Sequence, residues 1–103
     1  MAKNKLLSDS LHSVFCTQCA MVYENGLPIE EGLILLSEQA SEIDYRGLLN
    51  HYRTNNSFIQ SIKEIGQFDQ LLISSLEVAV QIGKEESILK HLSLFYQRKD
   101  KNR

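Results

Sequence analysis

The stretch Asn25-Gly26-Leu27-Pro28 constrains this chain more than any other, because it holds the only proline among 103 residues. Apolar residues recur at helical spacing on both sides of it. Gly26 can take the left-handed conformation that closes a helix. Pro28 is pre-set for the first turn of the next helix, where its missing N–H costs nothing. Glu30 and Glu31 then fall near the positive end of that second helix. One helix ends, the chain reverses and another begins within about three residues, which predicts antiparallel neighbours.

A chain with one Pro and five Gly has too little punctuation for a many-stranded β protein. With 43% hydrophobic and 23% charged residues it has the means to bury one core. The expected organisation is a single domain, residues 1–103, with a core over 10–97 and a basic tail over 98–103. A net charge of −2 argues against nucleic acid as a partner. No apolar run approaches the roughly 18 residues of a membrane span. The segment MAKNKLLSDS lacks the apolar region of a secretory signal. Two cysteines in an unsecreted chain suggest reduced thiols in a cytosolic compartment. Charge is distributed in blocks. Six acidic residues and no Lys or Arg lie between Glu24 and Asp44, whereas RKDKNR at the end holds four basic residues and one acid.

Periodicity and breakers predict an all-α, compact antiparallel bundle of about six helices. The first spans about Ser10 to Asn25, with a stripe of Leu7, Leu11, Val14, Phe15, Cys19 and Val22. The second spans Pro28 to about Ala40. Its stripe is Ile29, Leu33, Leu36 and Ala40, widened by Ile34 and Leu35, so it is expected to be the most buried. The third is capped by Asp44 and runs to about Arg53. Asn56 or Ser57 caps a short fourth, carrying Phe58, Ile62 and Ile65 and ended by Gly66. The fifth begins near Asp69 with Leu72, Leu76, Ala79, Val80 and Gly83 on one face. Leu71, Ile73, Val78 and Ile82 widen its apolar arc, so it is either central or exposes an apolar strip to a partner. The sixth runs from about Glu85 to Gln97 or beyond, with Ile88, Leu89, Leu92, Phe95 and Tyr96 inward.

Residues that could carry chemistry each have a plainer reading. Cys16 and Cys19 form C-T-Q-C, a candidate redox pair or half a zinc site. With His12 the ligand set stops at three, and Cys19 lies on an apolar stripe, which favours structural cysteines. His12, His51 and His91 belong to no metal or triad motif and read as surface or half-buried structural histidines. Glu30-Glu31 and Glu85-Glu86 fall at helix starts, where the helix dipole accounts for them. No nucleophile elbow, phosphate-binding loop or dinucleotide fingerprint is present, so neither enzyme nor cofactor is expected. Arg98, Lys99, Lys101 and Arg103 form a basic end with three readings: a polar terminus, a nucleic-acid contact disfavoured by the overall acidity, or the flank of a membrane helix.

Residues 15–29, FCTQCAMVYENGLPI, resemble the pattern F-x-x-Q-L-A-x-L-L-x-A-G-L-P-L of the GspF/PilC family. These are the inner-membrane platform proteins of type II secretion and type IV pilus machines. Phe15, Gln18, Gly26, Leu27 and Pro28 carry the match, and Glu31-Gly32-Leu33 follows where the family reads E-A-L. Asn55 to Ile62, including Ser57, is similar to G-x-S-L-S-E-A-L. Gly83 falls in the family's G-E-x-S-G-N-L, and Leu89, Leu92, Phe95 and Tyr96 resemble its closing segment. The order holds over roughly residues 11–100. Lys84 stands where the family has Glu, so a cation site using that Glu does not carry over. Asn55 replaces a turn Gly, and Gly32 replaces a helical Ala at about 1 kcal/mol of propensity.

The resemblance implies a six-helix cytoplasmic domain on the inner face of the bacterial cytoplasmic membrane. It implies a non-catalytic scaffold that couples an assembly ATPase to pilin or pseudopilin assembly. The assembly ATPase and other platform proteins would be its partners, and a homodimer is compatible with it. The chain itself is expected to be soluble, meeting the membrane only through segments outside it, as an excised domain or a stand-alone relative. The alternative expectation is a soluble adaptor or regulator that dimerises through the apolar arc of the fifth helix.

Overall fold

Six helices follow one another: α1 (Asp9–Glu24), α2 (Ile29–Ser37), α3 (Tyr45–Asn55), α4 (Phe58–Ile65), α5 (Gln70–Ile82) and α6 (Glu85–Lys101). The structure is a computed structural model and describes residues 5–101. No strand occurs among the described residues. The all-α expectation holds, and the helices close into a compact antiparallel bundle measuring 38 × 33 × 24 Å.

Local chemistry explains where the helices start. Ser8, Asp44, Ser57 and Asp69 each turn a side-chain oxygen onto a backbone N–H three residues on: Leu11, Gly47, Gln60 and Leu72 respectively. Each satisfies one of the donors that a helix start leaves free. Pro28 opens α2 with its carbonyl, which accepts from the Gly32 N–H at 3.1 Å. Gly26 has φ +68°, and its N–H donates to Tyr23 O at 3.0 Å. A left-handed residue was also expected between α3 and α4, at Asn55. It is Asn56 that adopts it, with φ 60°, because α3 continues to Asn55 before turning.

Two expectations about α2 need correction. It ends at Ser37, not Ala40, because the N–H groups of Glu38 and Gln39 reach only three residues back and tighten the last turn. Nor is it the most buried helix. Only Gly32, Leu33 and Leu36 are buried, and Leu35 is exposed. Nine residues crossing the edge of the bundle bury one side only, however apolar the rest.

α1 buries more residues than any other helix, and its inner side carries His12, Phe15, Cys16, Cys19 and Val22. Its main partner is α6, not α2; α2 packs mostly along α3 and meets α1 near their shared turn. Small side chains at Ser13, Ala20 and Ser93 are buried in the α1–α6 pair and let these two longest helices approach. Where α1 and α2 cross, Gly32 is required. A Cβ there would lie 2.6 Å from Val22 Cγ1. The propensity cost of that glycine is the condition for the crossing.

The core gathers Phe15, Leu33, Leu48, Ile62, Leu72, Leu76, Leu89 and Tyr96 from all six helices. Phe15 sits at its centre, 4.3 Å from Phe68 and within 6.3 Å of Tyr45 and Phe58 between ring centroids. Several apolar residues expected inside lie outside, Ala40 beyond the end of α2 among them. Val14 occupies an outer strip of α1. Val80 is exposed because α4, eight residues long, meets that side of α5 with an ion pair, Lys63 Nζ to Glu77 Oε2 at 2.8 Å, and leaves it uncovered. Phe95 yields the inward position to its neighbour Tyr96, and its exposed ring lies 6.0 Å from the Lys99 amine.

Candidate functional site

The residues that carry the family resemblance divide between core and turns. Phe15, Leu33 and Leu89 are buried together in the core. Gln18 is half-buried on α1, where Oε1 accepts from the Tyr45 hydroxyl. Gly26, Leu27 and Pro28 form the α1–α2 turn, and the Leu27 N–H donates to Val22 O at 3.1 Å. Ser57 caps α4, and Gly83 closes α5 with φ +68°. The structure buries three of these residues in one core and sets the others at turns and along α1, where Gln18 and Leu27 line one groove beside α2.

The thiols are inaccessible. Cys16 and Cys19 are both free and fully buried. Burial pushes the Cys16 thiol up to about 12, with the Asp69 carboxylate adding to the effect. Burial likewise raises Cys19. No group of three or more His, Cys, Asp or Glu able to hold a metal occurs among the described residues. Reactive cysteines need stabilised thiolates, and these are the reverse.

His12 is not half-buried, as its type suggested, but 1% exposed. Its Nε2 accepts the Asp69 backbone N–H at 3.0 Å, so the ring proton resides on Nδ1, which donates to Ser8 O at 2.9 Å. The ring stacks on Tyr96 with centroids 4.8 Å apart. The Tyr96 hydroxyl donates to Asp69 Oδ1 at 2.6 Å, and burial together with that bond raises the phenol's pKa. A second polar seam joins α1 to α6. Ser13 Oγ donates to Ser93 O at 3.0 Å, and Thr17 Oγ1 meets Ser93 Oγ at 2.6 Å. A third lies at buried Gln67, which accepts from the Asp44 N–H at 2.9 Å and donates to Glu42 O at 3.0 Å. Sequence reasoning passed over all three. For the two seams on α1 the one signal was polar residues at helical spacing on apolar stripes, which leaves the partner open; Gln67, between α4 and α5, gave none.

His51 pairs with Glu64 at 2.9 Å on the surface. His91 is exposed, and its Nδ1 lies 2.9 Å from Ser87 O. Glu30 meets Arg53 at 2.9 Å and Glu86 meets Lys90 at 2.9 Å, so one member of each glutamate pair is held in a surface ion pair. The basic end is not a separate tail up to Lys101: Arg98, Lys99 and Lys101 continue α6 in exposed positions. Lys99 reaches Asp9 at 3.6 Å. Arg103 lies outside the described residues.

Two apolar surfaces remain open. On α5, Leu71, Val78 and Ile82 are exposed and share one side at helical spacing. The second is a groove of about 240 Å³ between α1 and α2, lined by Met21, Val22, Leu27, Leu35 and Leu36 among others. No helix among the described residues is long and apolar enough to cross a membrane. No protein-family model matches the chain, and no curated protein matches it.

Proposed function

We propose that this chain is a non-catalytic scaffold: a cytoplasmic domain of an inner-membrane platform protein. It couples an assembly ATPase to pilin or pseudopilin assembly in a type II secretion, type IV pilus, competence or tight-adherence machine. Its place is the cytoplasmic face of the bacterial cytoplasmic membrane, beside the ATPase and other platform subunits. The observation that carries this reading is the Gly26-Leu27-Pro28 turn. It stands between helices whose motif residues, Phe15 and Leu33, enter the same core as Leu89 from the last helix. The helices follow one another in the order the resemblance implies. Most of the buried polar groups support this reading too, since they are engaged in bonds that hold separate segments of the fold together.

The test is binding of the immobilised chain to the assembly ATPase of the same organism. Saturable binding is the expected result. No binding at about 1 mM, a free-energy ceiling near −4 kcal/mol, removes the docking role. A gene neighbourhood without pilin or ATPase genes removes the platform assignment.

A second reading has its own observation. The exposed Leu71, Val78 and Ile82 on α5 suit a soluble helical adaptor or regulator that dimerises through that face. A Val78→Glu variant that turns a dimer into a monomer supports it.

A further inference from the structure

Three helices lie side by side on one face of the molecule. Met21 of α1 lines both the groove shared with α2 and a groove shared with α6, where Thr17, Ala20 and Leu94 are its neighbours. The order across the face is therefore α2, α1, α6. Its middle is apolar and open to solvent: Val14 is 40% exposed, Met21 54%, Leu35 53% and Leu94 49%.

The two edges of this face carry opposite charge. On α2 and its C-cap residue, Glu31, Leu35 and Glu38 follow at steps of four and three, so two carboxylates flank an exposed leucine. On α6, Leu94, Arg98 and Lys101 follow at the same steps, so two cations extend from another exposed leucine. None of these four charged side chains has an ionic or hydrogen-bonding partner among the described residues. The charges nearer the middle, Glu24 and Lys90, already pair with each other at 3.6 Å.

We infer that this face binds a second copy of the chain in a two-fold dimer, with the acidic α2 edge of each protomer against the basic α6 edge of its partner. A face that runs from acidic through apolar to basic is complementary to itself when turned by 180° about its middle. The four unpaired charges then become two ion-pair sets, and the leucines and Met21 are covered between them. A specific interface needs roughly 800 Å² per partner. That is about an eighth of the 6273 Å² that the chain exposes, an area three adjacent helices can supply. The α5 strip lacks this charge complementarity, since only Ser75 interrupts its apolar residues. The pairing rests on the surface alone and involves no ATPase or membrane, so it stands or falls separately from the scaffold role.

Sedimentation of the chain and of four surface variants tests the pairing, with circular dichroism to show that each variant keeps its helices. Wild type is expected to form a dimer that weakens as salt shortens the screening length. Glu31→Lys with Glu38→Lys makes both edges basic, and Arg98→Glu with Lys101→Glu makes both acidic. Each double variant is expected to raise the dimer dissociation constant about tenfold or more. Mixing the two double variants restores a dimer, now mixed, because each edge again meets its opposite. All four changes in one chain restore the homodimer. A wild type monomeric to about 1 mM overturns the proposal. So does a dimer indifferent to both charge reversals, or one that Val78→Glu abolishes while the charge reversals do not.

Discussion

The two sides of α1 carry similar residues and have opposite fates. Phe15, Cys16 and Cys19 lie within a few positions of Val14 and Met21, yet the first three are fully buried and the last two exposed. Two helical positions differing by one residue point about 100° apart, so adjacency in sequence decides nothing about burial. What separates the sides is cover. The inner side meets Phe68, Tyr45 and Phe58, and the flank beside it meets α6. The outer strip has α2 and α6 at its margins and no other element above it among the described residues. An apolar side chain stabilises the fold only where other elements remove it from water.

Substitutions on the two sides measure that contrast. Phe15→Ala should destabilise the chain by about 3–5 kcal/mol in urea unfolding, since it empties the centre of the core. A loss below about 1 kcal/mol would place the core elsewhere. The thiols report the same burial by reactivity. With Cys16 at about 12 in place of 9.0, its thiolate fraction near neutral pH falls about a thousandfold. A disulfide reagent should then label neither cysteine until the chain unfolds. The sign for stability follows from a folded-state pKa that is raised. The Cys16 contribution is complete below about 9 and is lost as pH rises through about 12. Rapid labelling of the folded chain would contradict both.

The polar seam comes next. His12→Ala leaves the Asp69 N–H and Ser8 O without their ring partner and removes the stack on Tyr96, at a cost of about 2–4 kcal/mol. Tyr96→Phe, which loses only the bond to Asp69, should cost about 1 kcal/mol. Equal losses in thermal unfolding would mean that the Tyr96–Asp69 bond, not the His12 ring, carries the seam. At the α1–α2 crossing, Gly32→Ala sets steric overlap with Val22 against a helix-propensity gain, for a net loss of about 1–2 kcal/mol. Adding Val22→Ala should recover part of that loss, and a double-mutant cycle without coupling would show that the crossing relaxes freely. The smallest effect belongs to the outer strip: Met21→Ser should change monomer stability by less than about 0.5 kcal/mol.

Much of the fold was legible from single residues. Gly26 and Pro28 placed the first reversal, and Asp44, Ser57 and Asp69 marked helix starts that their side chains do cap. These succeed because capping and turn chemistry act within four residues. The expected inward faces fared worse at Val14, Val80 and Phe95. A wide apolar arc states how much surface a helix can bury, but not which part its neighbours will cover. The same limit hid the candidate surface. The acidic block and basic end were plain in the chain, whereas their position on two edges of one face depends on α1 lying between α2 and α6.

The sequence by itself determined six helices, the caps at Asp44, Ser57 and Asp69 and the turn at Asn25–Pro28, because each follows from bonds and dihedrals within a few residues. Only the tertiary structure decided that α1 packs along α6, that Gly32 is the gap Val22 fills, and that the His12 ring meets Asp69. Those are contacts between residues far apart in the chain, selected when all six helices compete for one core, and no local pattern encodes which of them will meet.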